Sequence, residues 1–187
     1  DGVTFSMPPM DKETEITGPA ALKLFVSSTT ADADLFVILR VFDPQNKEVL
    51  FQGALDPKTP VAQGWLRASH RKLDKAKSLP YRPYHTHDEN QPLTPGEVVE
   101  LDIEIWPTCI VVPKGYRIAL TIKGKDYDHG LSAASLSNMK NPMSGCGPFM
   151  HDDPDDRPPD IFGGNVTLHF GPQYPAAMLL PVVPAKV

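Results

Sequence analysis

Gly130-Leu131-Ser132-Ala133-Ala134 is the nearest this sequence comes to a nucleophile elbow. That motif, G-x-S-x-G, sets a serine on a tight turn between a buried strand and a helix, within reach of a proton-accepting histidine. Here Ala134 replaces the last glycine, and Lys125 to His129 separates the serine from the preceding strand pattern. Ser132 therefore reads as a loop serine, and no catalytic residue is assigned. His85-Thr86-His87-Asp88-Glu89 puts two imidazoles on one side of an extended segment, a spacing that suits a metal. A cupin-type site needs a glutamate further on, where Gln91 and Pro92 stand, and Glu89 comes too early. The helical zinc pair H-E-x-x-H does not occur. The competing reading is of exposed loop histidines, or histidines hydrogen-bonded to a neighbouring domain. We take that reading and assign no metal ligand.

His151-Asp152-Asp153-Pro154-Asp155-Asp156-Arg157 holds four carboxylates in five positions, hard oxygen ligands of the kind calcium takes. It lacks the central glycine and distal glutamate of an EF-hand. Asp and Pro are turn formers, and Arg157 is expected to pair with a neighbouring carboxylate. Glu100, Asp102 and Glu104 stand two apart on one strand face. No apolar setting is there to raise a carboxyl pKa for general-acid work. Trp65, Trp106, Tyr81 and Tyr84 could supply a sugar-binding platform, but their spacing shows none and most are expected to be packed. Cys109 and Cys146 read as two free thiols, a single disulfide being the alternative. Neither has the basic neighbour or helix start that activates a thiolate. Asn165-Val166-Thr167 matches a glycosylation acceptor by chance.

The elements that must position these residues are strands. In Val98 to Trp106, Val99, Leu101, Ile103 and Ile105 point one way and Glu100, Asp102 and Glu104 the other. Ile118, Leu120 and Ile122 share a face, as do Leu22, Leu24 and Val26, and Val166, Leu168 and Phe170. Period-two alternation of this kind marks half-buried antiparallel strands. Leu35 to Phe42 is apolar on both faces except at Arg40, and a second layer, such as another domain, is expected over it. Val3–Met7, Glu48–Gln52, Gln63–His70 and Met178–Val182 are shorter candidates. Asp43-Pro44-Gln45-Asn46, Thr94-Pro95-Gly96 and Pro113-Lys114-Gly115 supply turns. Two connections are long: Lys72 to Gly96, and Gly124 to Phe162 with a short helix expected around Leu131–Met139. Loops of such length are usually functional or draped over a partner.

Composition agrees. The 187 residues are 41% apolar and include 21 prolines, about twice the usual share, which excludes a helical bundle. The net charge of −5 argues against nucleic acid or an anionic membrane as partner. No apolar run approaches the ~20 residues of a membrane span, and a cytoplasmic location is expected. Together these features predict an all-β chain: a β-sandwich of mainly antiparallel sheets with two long loops, in one domain over 1–187. The chain starts at Asp1 rather than Met and is expected to be part of something longer.

Pattern reading ends there, but the sequence also resembles a family. Glu15-Ile16-Thr17-Gly18-Pro19, the strand Leu22–Ser28, and Ala33-Asp34 leading into Leu35–Phe42 look like the opening of a known domain. Gly64-Trp65-Leu66-Arg67-Ala68-Ser69-His70-Arg71, Pro95-Gly96-Glu97, Asp102 to Thr108 and Gly115-Tyr116-Arg117-Ile118 continue it. So do the segment from Phe149-Met150-His151 to Arg157-Pro158 and Leu179-Leu180-Pro181-Val182. The resemblance is to the C-terminal jelly-roll (galactose-binding-like) domain of the X-Pro dipeptidyl-peptidase, cocaine esterase and α-amino-acid ester hydrolase family. It implies a parent serine hydrolase whose α/β-hydrolase domain holds the triad and the oxyanion hole. This chain would be the non-catalytic C-terminal part, packed on that catalytic domain and framing its active-site entrance. His85, His87, His151 and Arg157 are the expected interdomain contacts. No cofactor is expected, and self-association into a homo-oligomer is possible through the patch left bare in the isolated chain. The alternative is a free-standing carbohydrate- or ligand-binding sandwich.

Overall fold

The computed structural model describes residues 2–136, 140–148 and 150–184. Strands β1 (Gly2–Ser6), β2 (Thr14–Ser28), β3 (Asp34–Phe42), β4 (Ala62–Arg67) and β5 (Val99–Val112) are followed by β6 (Arg117–Lys123), β7 (Val166–Leu168), β8 (Ala177–Leu179) and β9 (Val182–Val183). A 3-10 turn at Ala68–His70 and one helical turn, α1 at Pro159–Phe162, interrupt them. One sheet runs β1-β6-β3-β4; the other runs β5-β2-β7, with β8 and β9 also paired to β2. All pairings between these strands are antiparallel. The inward residues of both sheets, among them Leu24, Val26, Val37, Leu39, Ile103, Ile105 and Ile118, form one buried cluster. This is the expected β-sandwich of jelly-roll type.

Alternation sets the core, and one bulge changes its phase. Gly18 pairs with Thr108 but Ala20 pairs with Ile105, so Pro19 alone opposes both Trp106 and Pro107. An extra residue on one strand bends it and re-aims the side chains beyond. Before the bulge Leu101, Ile103 and Ile105 point inward; after it the buried position is Val112, with Ile110 half-buried. The strand thus continues six residues past the Trp106 at which its alternation breaks.

Several expectations need correction. Glu48–Gln52 is not a strand; it makes only isolated bridges, Phe42 to Glu48 and Phe51 to Thr59. Val166 is exposed at 37% and Phe170 at 52%. Val166 pairs with Ser28, the last residue of β2, at the rim of the sandwich. Residues 131–136 form no helix, and 137–139 lie outside the described residues. The doubly apolar β3 is covered by its own chain: Phe36 and Ile38 pack outward on Tyr127 and Leu50. Asp56 ties that cover down. Its Oδ1 accepts the Lys58 N–H at 2.9 Å, and its Oδ2 accepts those of Gly145 at 2.8 Å and Gly147 at 3.1 Å.

Candidate functional site

β4 and β5 belong to different sheets and meet along one edge of the sandwich. Gly64 makes the approach possible, because a Cβ there would overlap the Glu104 carbonyl oxygen. The next residue, Trp65, meets Trp106 with ring centroids 5.1 Å apart and planes tilted by 49°. Trp65 also packs edge-on against His151 at 5.5 Å, and His151 against Phe36 at 5.3 Å. Trp65 is 37% exposed and Trp106 59%. Tyr81 and Tyr84 are exposed as well. These four aromatic residues were expected to be mostly packed. Trp106 shares the parity of Glu100, Asp102 and Glu104, the face of β5 turned away from Leu101, Ile103 and Ile105, and so points outward.

Beside the indoles lies a cleft of about 220 Å³, lined by His70, His151, Arg67 and Arg157 together with Trp65. The Arg67 guanidinium forks onto both oxygens of Asp34, at 3.0 and 3.2 Å, and reaches Asp156 Oδ2 at 3.1 Å. It lies over the Phe162 ring, 4.4 Å from the centroid. Arg157 Nε sits 2.7 Å from Asp34 Oδ2, and its Nη1 donates to Asp156 Oδ2 at 2.7 Å, so Arg157 finds its carboxylate partners as expected. Arg67, then the nearby Arg157, hold the Asp156 carboxyl below the usual carboxylate range. His151 is oriented from below: its backbone N–H donates to Asp126 Oδ2 at 2.6 Å, and its Nδ1 lies 2.9 Å from Asp126 Oδ1. Arg67 and Arg157 balance the carboxylates of Asp34 and Asp156, so that the four-residue network is formally neutral.

The loop histidines join the same edge. His87 Nδ1 lies 2.9 Å from His70 Nδ1, and the His85 ring is 5.9 Å from that of His87. His87 takes a left-handed backbone, φ 51°, a conformation uncommon outside glycine. Burial, then the neighbouring His87, push the His85 imidazole below its ordinary value, while a bond to the Asp102 backbone works against them. Among the described residues no group of three or more His, Cys, Asp or Glu is arranged to hold a metal ion. Arg82 reaches towards Glu104 on β5, at 3.7 Å.

Elsewhere the chemistry is quiet. Ser132 is exposed in its loop, and the neighbouring His129 accepts the Leu131 N–H instead. Both cysteines are free. Burial, then Asp126 and Asp56, push the Cys146 thiol up to about 11, so it carries no thiolate at neutral pH.

The sequence matches, over residues 1–176, the family described as the X-Pro dipeptidyl-peptidase C-terminal non-catalytic domain. The chain belongs to that family. A Mycobacterium bovis protein named "Putative serine esterase" is 33% identical over 132 residues, which cover 68% of this chain and 19% of its own length. The Mycobacterium tuberculosis protein of the same name matches to the same extent. A CocE/NonD family hydrolase from Staphylococcus aureus superposes with a TM-score of 0.79 at 29% identity, over 97% of this chain and 30% of the hydrolase. An α-amino acid ester hydrolase shares the fold at 17% identity, TM-score 0.61. The chain therefore spans about a fifth to a third of the relatives it matches. Among its described residues no helix is long and apolar enough to cross a membrane.

For an X-Pro dipeptidyl-peptidase C-terminal domain, the residues worth weighing are those that can touch a neighbour. Of the four expected contacts, His151 and Arg157 line the cleft, His87 bonds a third lining residue, His70, and His85 stands next to His87. Sequence reasoning missed His70 and the indole pair. The available signal for Trp106 was its parity, shared with Glu100, Asp102 and Glu104 on the face opposite Leu101, Ile103 and Ile105.

Proposed function

We propose that residues 1–187 form one domain, the C-terminal part of a serine hydrolase, that packs on the α/β-hydrolase catalytic domain of the same parent and helps frame its active-site entrance. The parent would cleave an ester, or an amide beside proline, through an acyl-enzyme. The observation that carries the reading is a gathering along one edge. His151 and Arg157 from one long loop line a cleft with the exposed Trp65, while His87 from the other bonds His70 on its wall and His85 stands beside His87. Family membership and the naming of the relatives as esterase and hydrolase support it. The two free cysteines fit a reducing compartment, and we place the parent in the cytoplasm.

A serine-directed fluorophosphonate probe, with calorimetry, tests both halves. The isolated chain should neither take the label nor hydrolyse activated esters, and the full-length parent should do both. A packed parent should unfold with the two domains coupled in one transition. Labelling of the isolated chain that disappears in Ser132→Ala would overturn the non-catalytic reading. Two independent transitions, one matching the isolated chain, would overturn the packing.

A further inference from the structure

The tryptophan edge differs from another apolar surface, a groove of about 250 Å³ lined by Phe5, Met7, Phe170 and Met178. That groove lies by β1, at the far edge of its sheet from β4. The long loops do not reach it, and Phe5 and Phe170 close on each other at 5.4 Å. At the tryptophan edge, by contrast, two indoles stand on strands rather than loops. One lies on the outward face of β5 with Glu100, Asp102 and Glu104, and the other is propped on His151. Rigid, partly exposed tryptophans at the centre of a polar surround are the residue type and setting that dominate binding energy at interfaces. The surround here is polar: Arg67, Arg157, His70 and His151 line the cleft beside Trp65, with Asp34 and Asp156 paired to the two arginines.

Resting on the docking reading above, we infer that the Trp65–Trp106 pair is the energetic centre of the interdomain interface. It seats a proline ring or aliphatic side chain from an apolar patch of the catalytic domain. The occupant is the catalytic domain because the matched relatives are several times longer: this chain covers 19% of the mycobacterial protein and 30% of the staphylococcal hydrolase. Flat ring faces take prolines and aliphatic carbons well. Desolvating the two indoles, already largely pre-ordered, costs little side-chain entropy.

Hydroxyl-radical footprinting read by mass spectrometry, on the 187-residue chain and on the full-length parent, tests this. Oxidation of both Trp65 and Trp106 should fall roughly tenfold in the parent, as expected for residues moved into a water-excluded interface core. In the parent, Trp106→Ala should weaken docking by about thirtyfold, the scale of a hot-spot truncation, and return Trp65 oxidation towards its isolated rate. Trp106→Phe should retain most of the protection. Equal indole oxidation in the two proteins, with protection instead at Phe5 and Phe170, overturns the inference and leaves the docking reading standing. Protection nowhere overturns both.

Discussion

Trp65 and Trp106 stand on adjacent edge strands of different sheets with their ring centroids 5.1 Å apart, and both remain partly in solvent. The pair exists because of two backbone facts on either side of it. Gly64 lets β4 and β5 approach, and the alternation of β5 sets Trp106 on the face opposite Leu101, Ile103 and Ile105, away from the core. Tryptophans so placed stabilise the isolated sandwich little, and they leave a surface with more to gain from a partner than from water.

Trp106→Ala in the isolated chain should therefore cost less than about 1 kcal/mol, the range of a surface substitution. Thermal denaturation checks the stability. The far-ultraviolet circular dichroism should lose an indole exciton couplet, which Trp65 alone cannot produce.

Gly64→Ala should be far worse. The new methyl group meets the Glu104 backbone oxygen rather than a flexible side chain, so β4 and β5 must separate. A loss of roughly 2–4 kcal/mol is expected from overpacking at a backbone contact. Denaturant unfolding measures it, and the exciton couplet should vanish here too because the indoles are parted.

Asp56→Ala tests the cover over β3. Asp56 is 2% exposed and accepts three backbone N–H groups. Leaving buried donors unpaired costs about 1–3 kcal/mol each, so a loss of about 3 kcal/mol or more is expected after partial relaxation. Hydrogen exchange should quicken at Gly145, Gly147 and Tyr127 before it quickens in β3.

The pH dependence follows from His85. Its folded value lies below the ordinary 6.5, chiefly through burial. The unfolded chain therefore binds more protons between those two values, and stability rises with pH in that window. Stability should fall as the pH drops below about 6.5, until it passes the folded value of His85. Asp156 works in a lower window: its depressed folded value adds stability above the ordinary 3.8 that is lost on further acidification. A urea-melt series across pH, repeated with His85→Asn, should show the upper slope flatten in the variant.

Much of the fold was legible in the sequence. The alternations at Leu101 to Ile105 and Ile118 to Ile122 place their residues in the core as read. Where reading failed, tertiary geometry had intervened. Val166 sits in a correct strand with the expected alternation, but the strand runs along the rim, and periodicity carries no information about what faces it. The outer face of β3 needed a cover, as its composition indicated. That the cover is Tyr127, some ninety residues on, depends on the Asp56 tether, which no local pattern announces. At the candidate site, Arg157 met the carboxylates expected of it. His70 was invisible because its partner, His87, is 17 residues away. The tryptophans read as packed because large aromatics usually are, although Trp106 has the parity of the outward carboxylates Glu100, Asp102 and Glu104.

Amide hydrogen exchange compared between the isolated chain and the full-length parent bears most directly on whether this domain docks. Exchange should slow in the parent along β4, along β5 near Trp106 and through 72–96, while the buried strands β2 and β6 stay unchanged. Equal protection of those segments in the two proteins would contradict docking through this edge and leave a sandwich that stands beside its catalytic domain without packing on it.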